Sequence, residues 1–143
     1  MKQPFSKLTF YILSWTWGIV MTLIGNIIAL IMILAGYKPV KNIYGWYFEI
    51  GNNWGGVDLG YISIIQKNSS QYLKNHEFGH AVQNCIFGPL FPFIVAIPSA
   101  IRYWYRTIRE NMGKSNPTNY YDIWFEKQAS DYGIMYYDYQ KRA

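Results

Sequence analysis

The sequence predicts an α+β fold: an N-terminal transmembrane helix, a small β-hairpin or sheet, a central helix, an apolar proline-interrupted segment and a C-terminal helix. Three observations carry this. No charged residue lies between Lys7 and Lys38, and the run Leu8–Gly36 is apolar almost throughout. Within Asn42–Gln66, two runs rich in Tyr, Trp, Phe and Ile flank the Gly/Asn cluster at 51–56. Phe78, Ala81, Val82 and Cys85 then recur at helical spacing, in the segment that also holds the only two histidines, His76 and His80.

The first run exceeds the roughly 20 apolar residues that a helix needs to cross a bilayer core. Phe10, Tyr11, Trp15 and Trp17 gather at one end, as interfacial aromatics do. The run is also longer than the apolar core of a secretory signal, about 7–15 residues. A retained transmembrane anchor is therefore expected over residues 1–37, with a membrane-associated domain over 38–143. Lys2 and Lys7 precede the anchor and Lys38 and Lys41 follow it, so flanking charge does not orient it. Pro39 ends it.

The two aromatic runs around Gly51–Gly56 read as a β-hairpin, with Val57–Ile65 as a candidate sheet edge. Gly55-Gly56 reads as a turn and not a phosphate loop, because no Lys-Ser/Thr follows. Asn68-Ser69-Ser70 supplies helix caps, and a helix is expected from about Gln71 to Phe87, ending before Gly88-Pro89. Ala81–Ile101 lacks charge but is broken by Pro89, Pro92 and Pro98. Phe93–Tyr105 is expected as a short membrane-entering, re-entrant or interfacial helix. Arg102, Arg106 and Arg109 read as its headgroup-facing side. A polar loop over Asn111–Asn119 leads to a last helix over Tyr121–Tyr139, weakened by Gly133.

Composition narrows the class. Only 15% of residues are charged, against roughly 25% in soluble proteins, so much of the surface need not face water. The net charge is +5, but the cations are scattered and flank apolar runs. That placement suits anionic lipid headgroups rather than nucleic acid. The single cysteine, Cys85, excludes an intrachain disulfide and reads as a small buried hydrophobe.

The chemistry lies in His76-Glu77-Phe78-Gly79-His80. Residues four apart share a helix face, so both imidazoles can reach one ion. Glu77, beside that face, can serve as general base without being a ligand. A catalytic zinc takes three protein ligands and keeps a position for water. With no third histidine, the third ligand must be Asp, Glu or Cys, which excludes the three-histidine pattern. Cys85 is displaced from the histidine face. Glu126, on the second predicted helix, would complete two histidines and one glutamate; Asp131 and Asp122 remain alternatives.

His76–His80 followed by Glu126-Lys127-Gln128-Ala129-Ser130 resembles the gluzincin metalloproteases, in which the motif helix pairs with a helix bearing Glu-x-x-Ala. The resemblance covers about residues 44–133. It implies a zinc metalloendopeptidase with His76, His80 and Glu126 as zinc ligands and Glu77 as general base. It also implies that Ala129 lets the two helices approach, and that an edge strand at Val57–Ile65 holds an extended peptide substrate. Ser130 stands where an acid or amide often supports a ligating histidine. The plan is similar to that of CAAX-processing membrane proteases, so the expected partners are a peptide substrate and the lipid bilayer. The expected location is a membrane, the cytoplasmic (inner) one. A site-2-type intramembrane protease, with Asp122 following Asn116-Pro117, is one alternative. A non-enzymatic membrane interaction protein or toxin is another.

Overall fold

An uncharged run does not make one helix here. In the computed structural model, which describes residues 4–142, Leu8–Gly36 forms α1 (Lys7–Trp15) and α2 (Ile19–Leu34), bent by 94° at the break between them. The single transmembrane helix expected from composition is thus corrected to an elbow. Its cause is tertiary. The Trp17 indole donates to the carbonyl of Ile86 (3.0 Å), and the Asn84 amide donates to the carbonyl of Gly18 (3.1 Å). A Cβ on Gly18 would lie 2.6 Å from that same Asn84 side chain. No single helix among the described residues is long and apolar enough to cross a membrane. Lys2, one of the expected flanking cations, lies outside the described residues.

α1 joins the core. Phe10 is fully buried and its ring packs on Tyr44 and Phe78 at centroid distances of 5.5 and 5.3 Å. In α2, Asn26 is satisfied by the Thr22 carbonyl and the Tyr61 hydroxyl. The rest of α2 presents an apolar face outward: Leu23, Ile27, Leu30, Ile31 and Leu34 are exposed.

Four strands follow: β1 (Val40–Asn42), β2 (Gly45–Glu49), β3 (Gly56–Leu59) and β4 (Ile62–Ile65), in spatial order β1-β2-β4-β3. The hairpin expected across Gly51–Gly56 is not formed. β2 pairs with β4 in parallel, and the antiparallel partners are β1–β2 and β3–β4. The 50–55 loop steps over the end of β4 instead of reversing beside β2. Ile50 N donates to Ile65 O (2.9 Å) and Lys67 N to Gly51 O (2.9 Å). The Gln66 side chain accepts from the amides of Trp54 and Gly55 (3.0 and 2.9 Å). Of the two strands in Val57–Ile65, only β3 is consequently an edge, with β1 at the opposite edge, and Ile62–Ile65 lies inside the sheet.

α3 (Gln71–Phe87) has the expected bounds. The Ser70 hydroxyl accepts from Leu73 N (3.2 Å) at its start, and Phe78, Ala81, Val82 and Cys85 are buried. A 3-10 turn (Gly88–Leu90) and a π-helical turn (Pro92–Ala96) lead into α4 (Ile97–Asn111), bent by 116° from the motif helix. α5 spans Trp124–Arg142 after a 3-10 turn at Tyr120–Asp122. α3 and α5 make the most extensive contact in the molecule, and two glycines allow it. A Cβ on Gly79 would fall 1.7 Å from the Ala129 carbonyl oxygen, and one on Gly133 would fall 2.0 Å from the Asn75 carbonyl oxygen. Positions 75/133 and 79/129 lie one turn apart on each helix, so the helices run antiparallel with backbones touching at both points. Gly133 does not weaken α5; it seats it.

Neither backbone carbonyl can yield to a methyl group without parting the helices. Gly79→Ala is therefore expected to destabilise the fold by about 3 kcal/mol or more, the upper range for overpacking. Urea unfolding midpoints measure this, and an unchanged midpoint would show that α3 and α5 tolerate greater separation.

Candidate metal centre

Three ligating side chains converge where α3 meets α5. His76 and His80 lie one turn apart on α3, with ring centroids 4.8 Å apart. Their Nε2 atoms reach Glu126 Oε2, from the first turn of α5, at 3.0 and 3.3 Å. All three side chains are buried, Glu126 completely. Their ligand atoms lie within 4.8 Å of one another, and this is the one such cluster of three or more found among the described residues. The other acids weighed from sequence stand outside it. Asp131 is exposed, and Asp122 is exposed and caps its own turn by accepting from Asn119 N (3.1 Å). Cys85 lies in the core against Ser14.

The surroundings orient both imidazoles and set the tautomer of His80. Gln83 Nε2 donates to Phe125 O (2.8 Å) and to Gln128 Oε1 (2.9 Å), which sets the amide's orientation and leaves its oxygen facing His80 Nδ1 at 2.8 Å. That oxygen only accepts, so Nδ1 carries hydrogen and Nε2 is the atom offered to an ion. His76 Nδ1 meets Ser130 Oγ at 2.8 Å, and the Tyr72 hydroxyl in turn donates to Ser130 (2.9 Å). Ser130 thus occupies the supporting position for His76. Such partners hold metal-binding histidines in tautomer and direction. Glu126 Oε1 accepts from the Ser99 hydroxyl, and the Tyr120 hydroxyl lies 3.4 Å away.

Tyr120 reaches the site because α4 grips the loop before it. Arg102 donates to the carbonyls of Asn119 and Tyr120 (3.0 and 3.2 Å). Arg106 bonds Thr118, and Arg109 bonds Asn116 and Ser115 (3.2 and 2.9 Å). The arginines expected to face headgroups are instead clamps on residues 115–120.

The electrostatics follow from burial of opposite charges. Burial opposes charge on His80, but the hydrogen bond and charge of Glu126, with Glu77 and Asp58 beyond, overcome it and raise the imidazole to about 9. Burial also opposes ionisation of Glu126, yet hydrogen bonds from His76 and His80, then the charge on His80, hold its carboxyl well below the usual range. Burial raises Glu77, with the nearby histidines pulling the other way. Burial and the Glu126 charge keep the Tyr120 phenol a donor.

The cluster opens into a cavity of about 280 Å³ walled by α3, α4 and β3, with Tyr103 and Trp54 joined across one end by a 2.7 Å hydrogen bond. Glu77 faces Gly56 of the edge strand, and a Cβ there would lie 3.1 Å from Glu77 Oε1. Two imidazoles and a carboxylate, presented from rigid helices with their outer atoms satisfied, are a donor set that can hold a metal ion. Several residues of the site had escaped sequence reasoning. Gln83 was legible, being three residues beyond His80 on one helix. Asp58 carried an unread signal, being the only charge in Gly51–Gln66. Nothing in the uncharged segment around Ser99 pointed to it.

Compared with protein-family models, curated proteins and solved structures, the chain gives no match.

The raised His80 pKa has a sign. A group held above its ordinary value contributes stability fully present below about 6.5 and lost as pH rises through about 9. Metal-free protein should therefore unfold at lower urea in EDTA at pH 9.5 than at pH 6.5, and His80→Gln should flatten that slope. An equal or steeper slope in the variant would contradict the pairing.

Proposed function

We propose that this chain is a zinc-dependent, membrane-associated peptidase of gluzincin type. The observation that carries the reading is the meeting of His76 Nε2, His80 Nε2 and Glu126 Oε2 at one point, with Glu77 beside it and an edge strand across the cleft. Nitrogen and oxygen donors in a set of three suit catalytic zinc, which keeps a position open. When bound, zinc would supply a Lewis acid for a carbonyl and acidify water.

The chain's own residues supply the rest. β3 offers its free edge to an extended peptide, which would add as a strand. α2 covers only the Leu59 end of that edge, where a Cβ on Gly25 would strike the Leu59 carbonyl; Gly56 and Asp58 face the cavity. Glu77 takes the proton of the attacking water and passes it to the leaving nitrogen. Tyr120, held protonated, is placed to donate to the oxygen of a tetrahedral centre. The site-2-type alternative would need Asp122, which is outside the cluster.

Membrane association is supported by two outward apolar faces. α4 buries none of its residues completely, and it exposes Ile97, Ile101, Trp104, Tyr105 and Ile108 opposite its arginines, continuing from Leu90 and Phe93. The exposed face of α2 begins near it, since Met21 packs with Phe91 and Val95. An exposed apolar face of this extent, on a helix whose polar side is turned to protein, suits contact with the acyl boundary of a bilayer interface. These faces support a reading in which the protein lies on or partly in the membrane.

Purified wild type should hold about one zinc per chain, by analogy with sites of three protein ligands. Glu77→Gln should keep the metal and lose peptide cleavage by a factor of at least ~10². Glu126→Ala should lose the metal, and Asp131→Ala should keep it. Metal analysis decides the ligand set; wild type free of transition metal would end the reading. For the membrane, Ile97→Asp/Ile101→Asp protein should pellet less with phosphatidylglycerol vesicles than wild type, and equal pelleting would remove α4 as the contact.

A further inference from the structure

Asp58 is the acid that the proposed reaction leaves unused. It sits on the edge strand, two residues from Gly56 and therefore on the same face of the strand, and it is 7% exposed. It lines the cavity. The Ser63 hydroxyl donates to Oδ1 (3.1 Å), while Oδ2 is buried with no hydrogen-bond partner. Buried carboxyl oxygens are costly to leave unmatched, so a persistent orphan at the wall of a cleft marks a place for an incoming donor.

The charge of the cleft identifies the donor. The chain carries a net +5, yet among the described residues no Lys or Arg lines this cavity. Three acids, Asp58, Glu77 and Glu126, surround or underlie it. A dication among the two histidines and Glu126 would be matched by Glu126 and Glu77, which leaves Asp58, whose ionisation burial opposes, without a cation to hold it charged. A second metal is not the answer, because Asp58 is not part of any cluster of ligating atoms among the described residues.

We propose that Asp58 is a specificity-determining residue that receives a protonated amine or guanidinium of the substrate, on the residue seated next to the site of cleavage. The substrate class is thereby narrowed to peptides with Lys or Arg at that position. A charge-assisted bond to the orphan oxygen completes the pairing that the protein alone leaves open. A site built to bond a cationic group discriminates sharply against the analogue lacking it, because its own polar atom is then stranded.

The inference rests on the peptidase reading for the nature of the substrate, so its test is one of binding. Lysine hydroxamate and norleucine hydroxamate share a metal-binding group and nearly the same side-chain length, and differ in the terminal ammonium. Titration calorimetry on zinc-loaded full-length protein should show lysine hydroxamate binding at least about tenfold tighter, the scale of one charge-assisted bond. Asp58→Asn, which keeps the shape and the Ser63 contact, should equalise the two. The same preference should hold between the Nα-acetyl forms of the two hydroxamates, which lack the α-ammonium, and its loss there would overturn the proposal. Equal binding of the two hydroxamates to wild type, binding of neither, or a preference that survives in Asp58→Asn overturns the proposal. The wild-type ratio decides even if Asp58→Asn does not fold. A tenfold preference in a protein that cleaves no peptide would sustain Asp58 and end the peptidase reading.

Discussion

The backbone contact between α3 and α5 is the constraint on which the rest depends. Glycines at 79 and 133 let each helix rest on a carbonyl of the other. Only at that separation can a carboxylate from the first turn of α5 lie 3.0 and 3.3 Å from two imidazoles of α3. The same antiparallel alignment brings Ser130 to His76 and the Phe125 carbonyl to Gln83. Gly79 therefore has two roles. It occupies one of the free positions of the histidine motif, and it is also the place where the partner helix sits.

The remaining elements bring polar groups to this helix pair that it cannot supply itself. α4 contributes Ser99 directly and Tyr120 indirectly, through the three arginines that hold residues 115–120. The sheet contributes an open edge. Because the 50–55 loop carries the chain over β4, β3 becomes the outer strand, and its inward residues are Gly56 and Asp58. One leaves room for Glu77 and the other adds a carboxyl. A simple hairpin between the two aromatic runs would have placed neither against the histidines.

The parts of this arrangement legible in the sequence are those decided locally. The bounds of α3 follow from a Ser70 cap and the Gly88-Pro89 stop, and the shared face of His76 and His80 follows from helix pitch alone. Glu126 was legible as a carboxylate on a second helix, and the structure brings it to the histidines. The misread parts are those settled by distant partners. Apolarity over Leu8–Gly36 cannot distinguish a spanning helix from two helices, because the elbow is held by bonds from Trp17 to Ile86 and from Asn84 to Gly18. Aromatic and β-branched runs in Asn42–Gln66 revealed strands but not their order, since a loop of six residues can reverse or step across with similar composition. The arginine run was read as a face toward lipid, when its guanidiniums were committed to backbone carbonyls of a loop whose position no local rule encodes.

The elbow also changes what the apolar surface means. A spanning helix would bury its side chains in lipid on all sides and tether a separate domain. Here α1 turns Phe10 into the core while Leu8, Ile12 and Trp15 stay exposed, so the N-terminal segment is part of the structure, and the outer faces of α1 and α2 are left to account for. α4 repeats the same economy, with arginines turned inward to protein and apolar side chains outward. Since α4 also forms a wall of the cleft, through Ser99, Ala100 and Tyr103, the surface proposed to meet the bilayer and the one proposed to meet substrate belong to one helix. A bilayer against the outer face of α4 would set the cleft at the height of the headgroups, within reach of polypeptide emerging from or lying along the membrane.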